Sequence, residues 1–272
     1  MDKKDDRIFT LTRIIAALVV PFLWLAFLIL FFYPSTTGEH FAWTIKPELT
    51  SVYLGAGYLG GSWLFINAIF GKRWHRIQGG FLPVTTFTWF MLAATILHWD
   101  RFAHGNLAFI LWLILYAVTP FLVPALWLYN RRSDPRQPED SNLVVSPLLR
   151  WIIRLAGIGA LLFVVIGFIF PNIFIQVWPW TLTPLTARVM AGWGALLSVG
   201  ALGMAADSRW SAWRTPLESI LIWHVLFFIG SVIHRADLKT GLVNWYSLIT
   251  VVMVIGIVIF YPIMEMRRKK KA

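Results

Sequence analysis

Apolar residues run along the chain in eight long stretches, separated by short clusters of Lys, Arg, Asp, Gly and Pro. A hydrocarbon core roughly 30 Å thick is crossed by about 20 residues of apolar helix. Windows of that length fall on Ile8–Tyr33, Leu49–Phe70, Phe81–Trp99, Asn106–Trp127, Leu148–Phe170, Thr186–Ala206, Pro216–Ile233 and Leu242–Met264. None shows the alternating segments of about 10 residues that mark a transmembrane barrel. The pattern predicts an all-α integral membrane protein with eight transmembrane helices. The first run exceeds the h-region of a signal peptide and no A-x-A site follows it, so it reads as a retained helix.

Composition agrees. The chain is 58% apolar and 14% charged, against about 25% charged in an average soluble domain. With no Cys among its 272 residues, it has no disulfide, thiolate metal site or cysteine nucleophile. The net charge of +11 is distributed by side. Of the 24 Lys and Arg, all but Lys46, Arg101, Arg188, Arg235 and Lys239 fall on the N-terminus, the C-terminus and the loops after the second, fourth and sixth spans. The positive-inside rule then places both termini in the cytoplasm of a cell that carries the protein in its inner or plasma membrane. Topology accounts for the basic charge without nucleic acid. The expected partners are the bilayer itself, anionic lipid at the Arg267–Lys271 tail, and other membrane proteins.

The two halves align in order along their length. Arg13 falls on Arg150, Pro34 on Pro171, Trp43-Thr44 on Trp180-Thr181, Pro47 on Pro184, and Gly55 and Gly57 on Gly192 and Gly194. After one deletion Arg73-Trp74 matches Arg209-Trp210, His98 matches His234, and Arg131-Arg132 matches Arg267-Arg268. Four helices per unit insert in the same direction. The expectation is two parallel four-helix repeats, residues 1–130 and 147–272, joined by a cytoplasmic linker over 131–146 and related by a pseudo-two-fold along the membrane normal.

The stretch Trp180-Thr181-Leu182-Thr183-Pro184-Leu185-Thr186-Ala187-Arg188 resembles the W-x-L-T-P-L-T-A-R loop of an uncharacterised family of bacterial multi-pass membrane proteins. The first half keeps a degraded version from Trp43 to Thr50. The resemblance implies a bacterial membrane protein and transfers no catalytic residue.

Several motifs have a structural reading first. Thr183 before Pro184 is a helix start, and Trp43, Trp178 and Trp180 suit an interfacial aromatic belt. Thr215-Pro216-Leu217-Glu218 fits a capping box, with Glu218 reaching back to Thr215. Gly55, Gly57, Gly60 and Gly61, with Ala191, Gly192, Gly194 and Ala195, suit close approach of the second and sixth helices to each other. His224, at mid-membrane depth, reads as bonded to a neighbouring helix.

The chemical hint lies on the outer side. His98 and His234 end the third and seventh spans, with Asp100 and Asp237 nearby, and Arg188 opens the sixth. Two such helix starts offer N–H groups and positive dipole ends to an anion. Histidines with carboxylates also have the donor types for a metal or a tetrapyrrole iron, but no tight ligand spacing nominates a metal or cofactor. No P-loop, dinucleotide fingerprint or nucleophile elbow occurs, and no spacing nominates a Ser–His–carboxylate set. The sequence therefore favours a binder or carrier of a small or amphiphilic molecule, with a ligand site at His98, Asp100, Arg188, His234 and Asp237 on the outer side. Two alternatives stand beside it: a structural or accessory subunit of a larger membrane complex, and an interfacial lipid-acting enzyme.

Overall fold

The computed structural model describes residues 4–137 and 143–271. Residues 138–142 of the expected linker, and Lys3 at the N-terminus, lie outside the described residues. The helices are α1 (Thr10–Phe32), α2 (Thr37–His40), α3 (Glu48–Phe70), α4 (Phe81–Leu97), α5 (Leu107–Asn130), α6 (Pro147–Ile169), α7 (Pro171–Val177), α8 (Pro184–Ala206), α9 (Trp210–Ile233) and α10 (Trp245–Lys271). Eight of them, all but the short α2 and α7, are long and apolar enough to cross a membrane. Among the described residues there is no strand, only the isolated bridges Val144–Arg209 and Trp180–Leu238. The chain is a multi-pass helical membrane protein.

Packing is strongly unequal. The most extensive pairs are α1 with α3, α6 with α8, α3 with α9, α4 with α8, α4 with α5, and α9 with α10. Helices α3 and α8 are the most buried, whereas α1, α6 and α10 turn most of their surface outward. With lipid as apolar as leucine, such contacts depend on close fit and small residues. A methyl at Gly55 would meet the α1 backbone at Phe31, one at Gly60 the α9 carbonyl of Ser219, one at Gly192 the Met91 side chain of α4, and one at Gly194 Val164 of α6. The small residues thus bring α3 to α1 and α9, and α8 to α4 and α6. They do not bring α3 against α8, as the sequence suggested, because the Trp193 ring stands between them. A Cβ on Gly57 would lie 2.6 Å from that ring, which also packs on Tyr58, Phe87 and Trp223.

Helix ends are closed by tertiary partners. The last carbonyls of a helix lack intrahelical donors. Arg13 of α1 donates to Ile69 O and, at 2.7 Å, to Gly71 O at the end of α3. Arg150 of α6 donates to Ala205 O and Ala206 O at the end of α8, at 3.0 and 3.3 Å. Asn130, fully buried, accepts from Phe9 N and Thr12 Oγ1 and donates to Arg7 O, tying the start of α1 to the end of α5. Asn244 accepts from Tyr246 N and Ser247 N. Helix α10 therefore starts three residues later than the hydrophobic run, and it continues through the basic tail, where Arg268 pairs with Glu265 at 2.8 Å.

Two sequence readings are corrected here. Helix α9 begins at Trp210, so Thr215 lies inside it and is not an N-cap. The helix is extended backward because Trp210 and Trp213 are buried and donate to Glu265 Oε1 and Asp207 O. Glu218 is consequently not half of a capping box. It accepts from Trp63 Nε1 at 2.7 Å and from the Tyr261 hydroxyl, stapling α9 to α3 and α10. The other correction concerns the loop tryptophans. Trp43, Trp178 and Trp180 are buried rather than belted at the interface, because their loops fold inward and the rings plug the bundle, Trp180 donating to Thr50 Oγ1 at 2.8 Å.

Candidate functional site

The termini and the 71–80, 131–137 and 207–209 loops share one end of the bundle, here the terminal end. The loops carrying Trp43, His98, Trp180 and His234 share the other, the distal end. The expected ligand residues all lie at the distal end, but they are divided. Thr183 caps α8, its hydroxyl accepting from Thr186 N at 3.2 Å while Thr186 Oγ1 accepts from Thr183 N at 2.7 Å, with Pro184 in the first helical position. One turn on, the Arg188 guanidinium donates to His98 Nε2 at 2.7 Å and to Phe168 O at 3.0 Å. Across the bundle, His234 Nδ1 lies 3.6 Å from Glu48, and Asp237 Oδ2 accepts from Leu49 N at 2.9 Å. That carboxylate closes the start of α3, where the helix dipole favours negative charge. Asp100 pairs with Arg101 in solvent.

Each of these contacts fastens one helix or loop to another. Among the described residues, no hydrogen bond or ion pair joins His98 and Arg188 to His234 and Asp237, and no group of three His, Asp or Glu comes close enough to hold a metal. Two ring clusters pack at this end: Phe41, Trp43, Phe102 and Trp112 in one, and Trp178, Trp180, Phe227 and Tyr246 in the other. The inward-folded loops place these rings at the distal end. His224 also departs from expectation. It bonds the Ile220 carbonyl of its own helix at 2.9 Å rather than a neighbour.

Burial, then the Arg188 and Arg101 charges, lower the His98 pKa against the opposing pull of Asp100. Arg188→Leu is expected to raise the His98 titration midpoint part of the way back, since burial remains. NMR of the His98 ring protons checks this, and an unchanged midpoint contradicts the pairing.

A large cavity lies at the terminal end. It measures about 610 Å³ and opens between the 78–82 segment, the end of α5, the 134–136 loop, the end of α8 and the start of α9. Its lining has two parts. Leu82, Trp127, Val199, Leu202 and Met204 are its apolar lining, and Gln78, Arg131, Asp134, Arg136, Ser208 and Arg209 its polar lining, here called the mouth. Gly203 also lines it, where a methyl would meet only Gly79 O at 3.4 Å.

The mouth is held rigid by a buried ion cluster. Arg209 grips Asp134 through two bonds of 2.8 and 3.1 Å and Asp207 through a bond of 2.6 Å. Asp134 also accepts from Gln78 Nε2 and Arg136 N. Burial works against its ionisation, but the Arg209 bonds and charge, with the bonds from Arg136 N and Gln78, together outweigh burial and hold its pKa at about 2. Burial likewise opposes the Arg209 charge, and the two carboxylates overcome it and raise its pKa. With both acids committed to Arg209, the Arg136 and Arg131 guanidiniums supply the positive character of the mouth, Arg131 lying 4.5 Å over the Trp127 ring. Sequence reasoning missed this cluster. The signal was Asp134 and Asp207, each within two residues of an arginine in its loop.

The fold is all-helical among the described residues, with eight helices long and apolar enough to cross a membrane and a recess of apolar and cationic lining at one end. No family model, curated protein or solved structure matches the chain.

Proposed function

We propose that this protein binds an amphiphile with an anionic headgroup in the terminal-end cavity, acyl chain against the Leu82–Leu202 wall and headgroup at Arg131 and Arg136. The divided lining of the cavity carries the reading, since ligand sites combine apolar walls with a few placed polar groups. The ring clusters at the distal end support a one-ended recess in place of a passage. By the positive-inside rule the recess faces the cytoplasm, with both termini beside it, and the helical basic tail lies at the anionic headgroup surface.

The reading includes an internal duplication into residues 1–130 and 147–272, with a pseudo-two-fold between them. Its support is the matched order of packing. Helices α1 and α3 pair as α6 and α8 do, α3 lies on α9 as α8 lies on α4, and α4 meets α5 as α9 meets α10. The aligned Arg13 and Arg150 perform the same task on the ends of α3 and α8. The recess then lies where the halves meet.

Native mass spectrometry after gentle extraction tests the binding. The expected result is one retained anionic lipid per chain, lost in Gly203→Leu, which fills the recess. Equal retention by the variant contradicts the location, and a stable heteromer without lipid would favour an accessory subunit.

A further inference from the structure

We propose that Asp6, His75 and Ser211 form a serine nucleophile triad that cleaves an ester of the bound amphiphile by acyl transfer through Ser211. His75 Nε2 lies 2.8 Å from Ser211 Oγ, and His75 Nδ1 is hydrogen-bonded to Asp6 Oδ2. The second Asp6 oxygen accepts from the His75 backbone N–H at 3.0 Å, so the carboxylate holds the imidazole at two points. Asp6 is itself fixed, donating from N to Ser133 O at 2.9 Å and accepting at its carbonyl from Trp74 N at 2.7 Å. All three side chains are buried. A nucleophile within hydrogen-bond reach of a base that a third group orients is the arrangement this chemistry requires, whatever the order in the chain.

The three residues come from the segment before α1, the turn after α3 and the first turn of α9. Their meeting has a pattern. The aligned dipeptides Arg73-Trp74 and Arg209-Trp210 are followed by His75 and Ser211, and these two successors face each other. A strut between equivalent positions needs no difference between the halves. Here the positions carry a base in one half and a nucleophile in the other, with an acid behind the base only.

Two further features fit. Ser211 is the second residue of α9, where N–H groups lack intrahelical acceptors. Trp210 N donates to Leu143 O and Ala212 N to Arg209 O, while among the described residues the Ser211 N–H meets no acceptor. It is available to an oxyanion at the positive end of the helix dipole. The flanking residues Arg209 and Ala212, and Gln78 three residues beyond His75, line the recess. The choice of an amphiphilic ester rests on the proposed binding there; the triad geometry does not.

With the imidazole Nδ1–H donated to Asp6, Nε2 takes the Ser211 hydroxyl proton as Oγ bonds to the ester carbonyl carbon. The tetrahedral species collapses as the C–O bond to the alcohol breaks, and the alcohol leaves with the proton from His75. Water then adds to the acyl-Ser211 carbonyl, giving its proton to His75. Cleavage of the acyl–Oγ bond releases the carboxylic acid, and the proton returns to Ser211.

The test is covalent labelling of the full-length protein in lipid–detergent micelles with an alkyl fluorophosphonate and, for access, the smaller phenylmethanesulfonyl fluoride. The expected result is a single adduct mapped to Ser211, absent in Ser211→Ala and slowed at least about a hundredfold in His75→Gln. Asp6 is a positioning residue, so Asp6→Asn labels slowly while Asp6→Glu recovers part of the rate. A folded wild-type protein left unlabelled at Ser211 by both reagents overturns the proposal. Retained lipid without labelling removes the triad alone, and labelling without retained lipid removes the binding reading and leaves the nucleophile.

Discussion

Replacing Trp193 with alanine is expected to cost about 3–5 kcal/mol of stability, the range for removing a large buried aromatic. Trp193 is buried at the centre of the bundle and touches α3, α4 and α9 through Tyr58, Phe87 and Trp223. Helices α3 and α8 are not among the closely packed pairs, so no extensive contact stands ready to close the space. The loss is read from thermal unfolding in one defined detergent. Gly57 supplies a control, because a Cβ there would strike the Trp193 ring at 2.6 Å. Gly57→Ala should therefore be costly in the native background and nearly harmless beside Trp193→Ala. Additive effects in that double-mutant cycle would contradict the contact.

Arg209→Leu is expected to be of similar size, about 3–5 kcal/mol, the cost of removing one partner from a buried ion pair. The change strands Asp134 and Asp207 at the mouth of the recess, so it acts through uncompensated charge. Adding Asp134→Asn should return part of the loss. The pH dependence has a definite sign. The Asp134 pKa is depressed from 3.8 to about 2, so its contribution is complete above the unfolded value. It is lost as pH falls from 3.8 toward 2. Denaturation curves of native protein and Asp134→Asn should converge across that window, and parallel curves would contradict the pairing.

The eight spans were legible because lipid demands continuous apolar helix, and basic residues crowd one end for the same reason. The start of α8 was legible because Thr183 and Pro184 are a local signal. The start of α9 was not, since it is set by Trp210 and Trp213 reaching Glu265 and Asp207, contacts that no local pattern announces. The distal histidines both end long helices, yet a sequence does not show that Arg188 and Glu48 take them separately or that tryptophans fold inward. Asp6, His75 and Ser211 were invisible as a set because three distant segments supply them. Their trace was the alignment of Arg73-Trp74-His75 with Arg209-Trp210-Ser211, in which the last position differs.

The central claim is an anionic amphiphile in the terminal-end recess, facing the cytoplasm. The absence of native Cys allows a direct measurement. Ser208 lines the mouth and is half-buried, so Ser208→Cys introduces a near-isosteric thiol there. A membrane-impermeant maleimide is then applied to inverted membrane vesicles and to sealed right-side-out vesicles, with and without short-chain phosphatidic acid. Labelling is expected in the inverted vesicles alone, slowed by phosphatidic acid and unaffected by its neutral diacylglycerol counterpart. Labelling from the opposite side, or a rate that phosphatidic acid does not change, would contradict it.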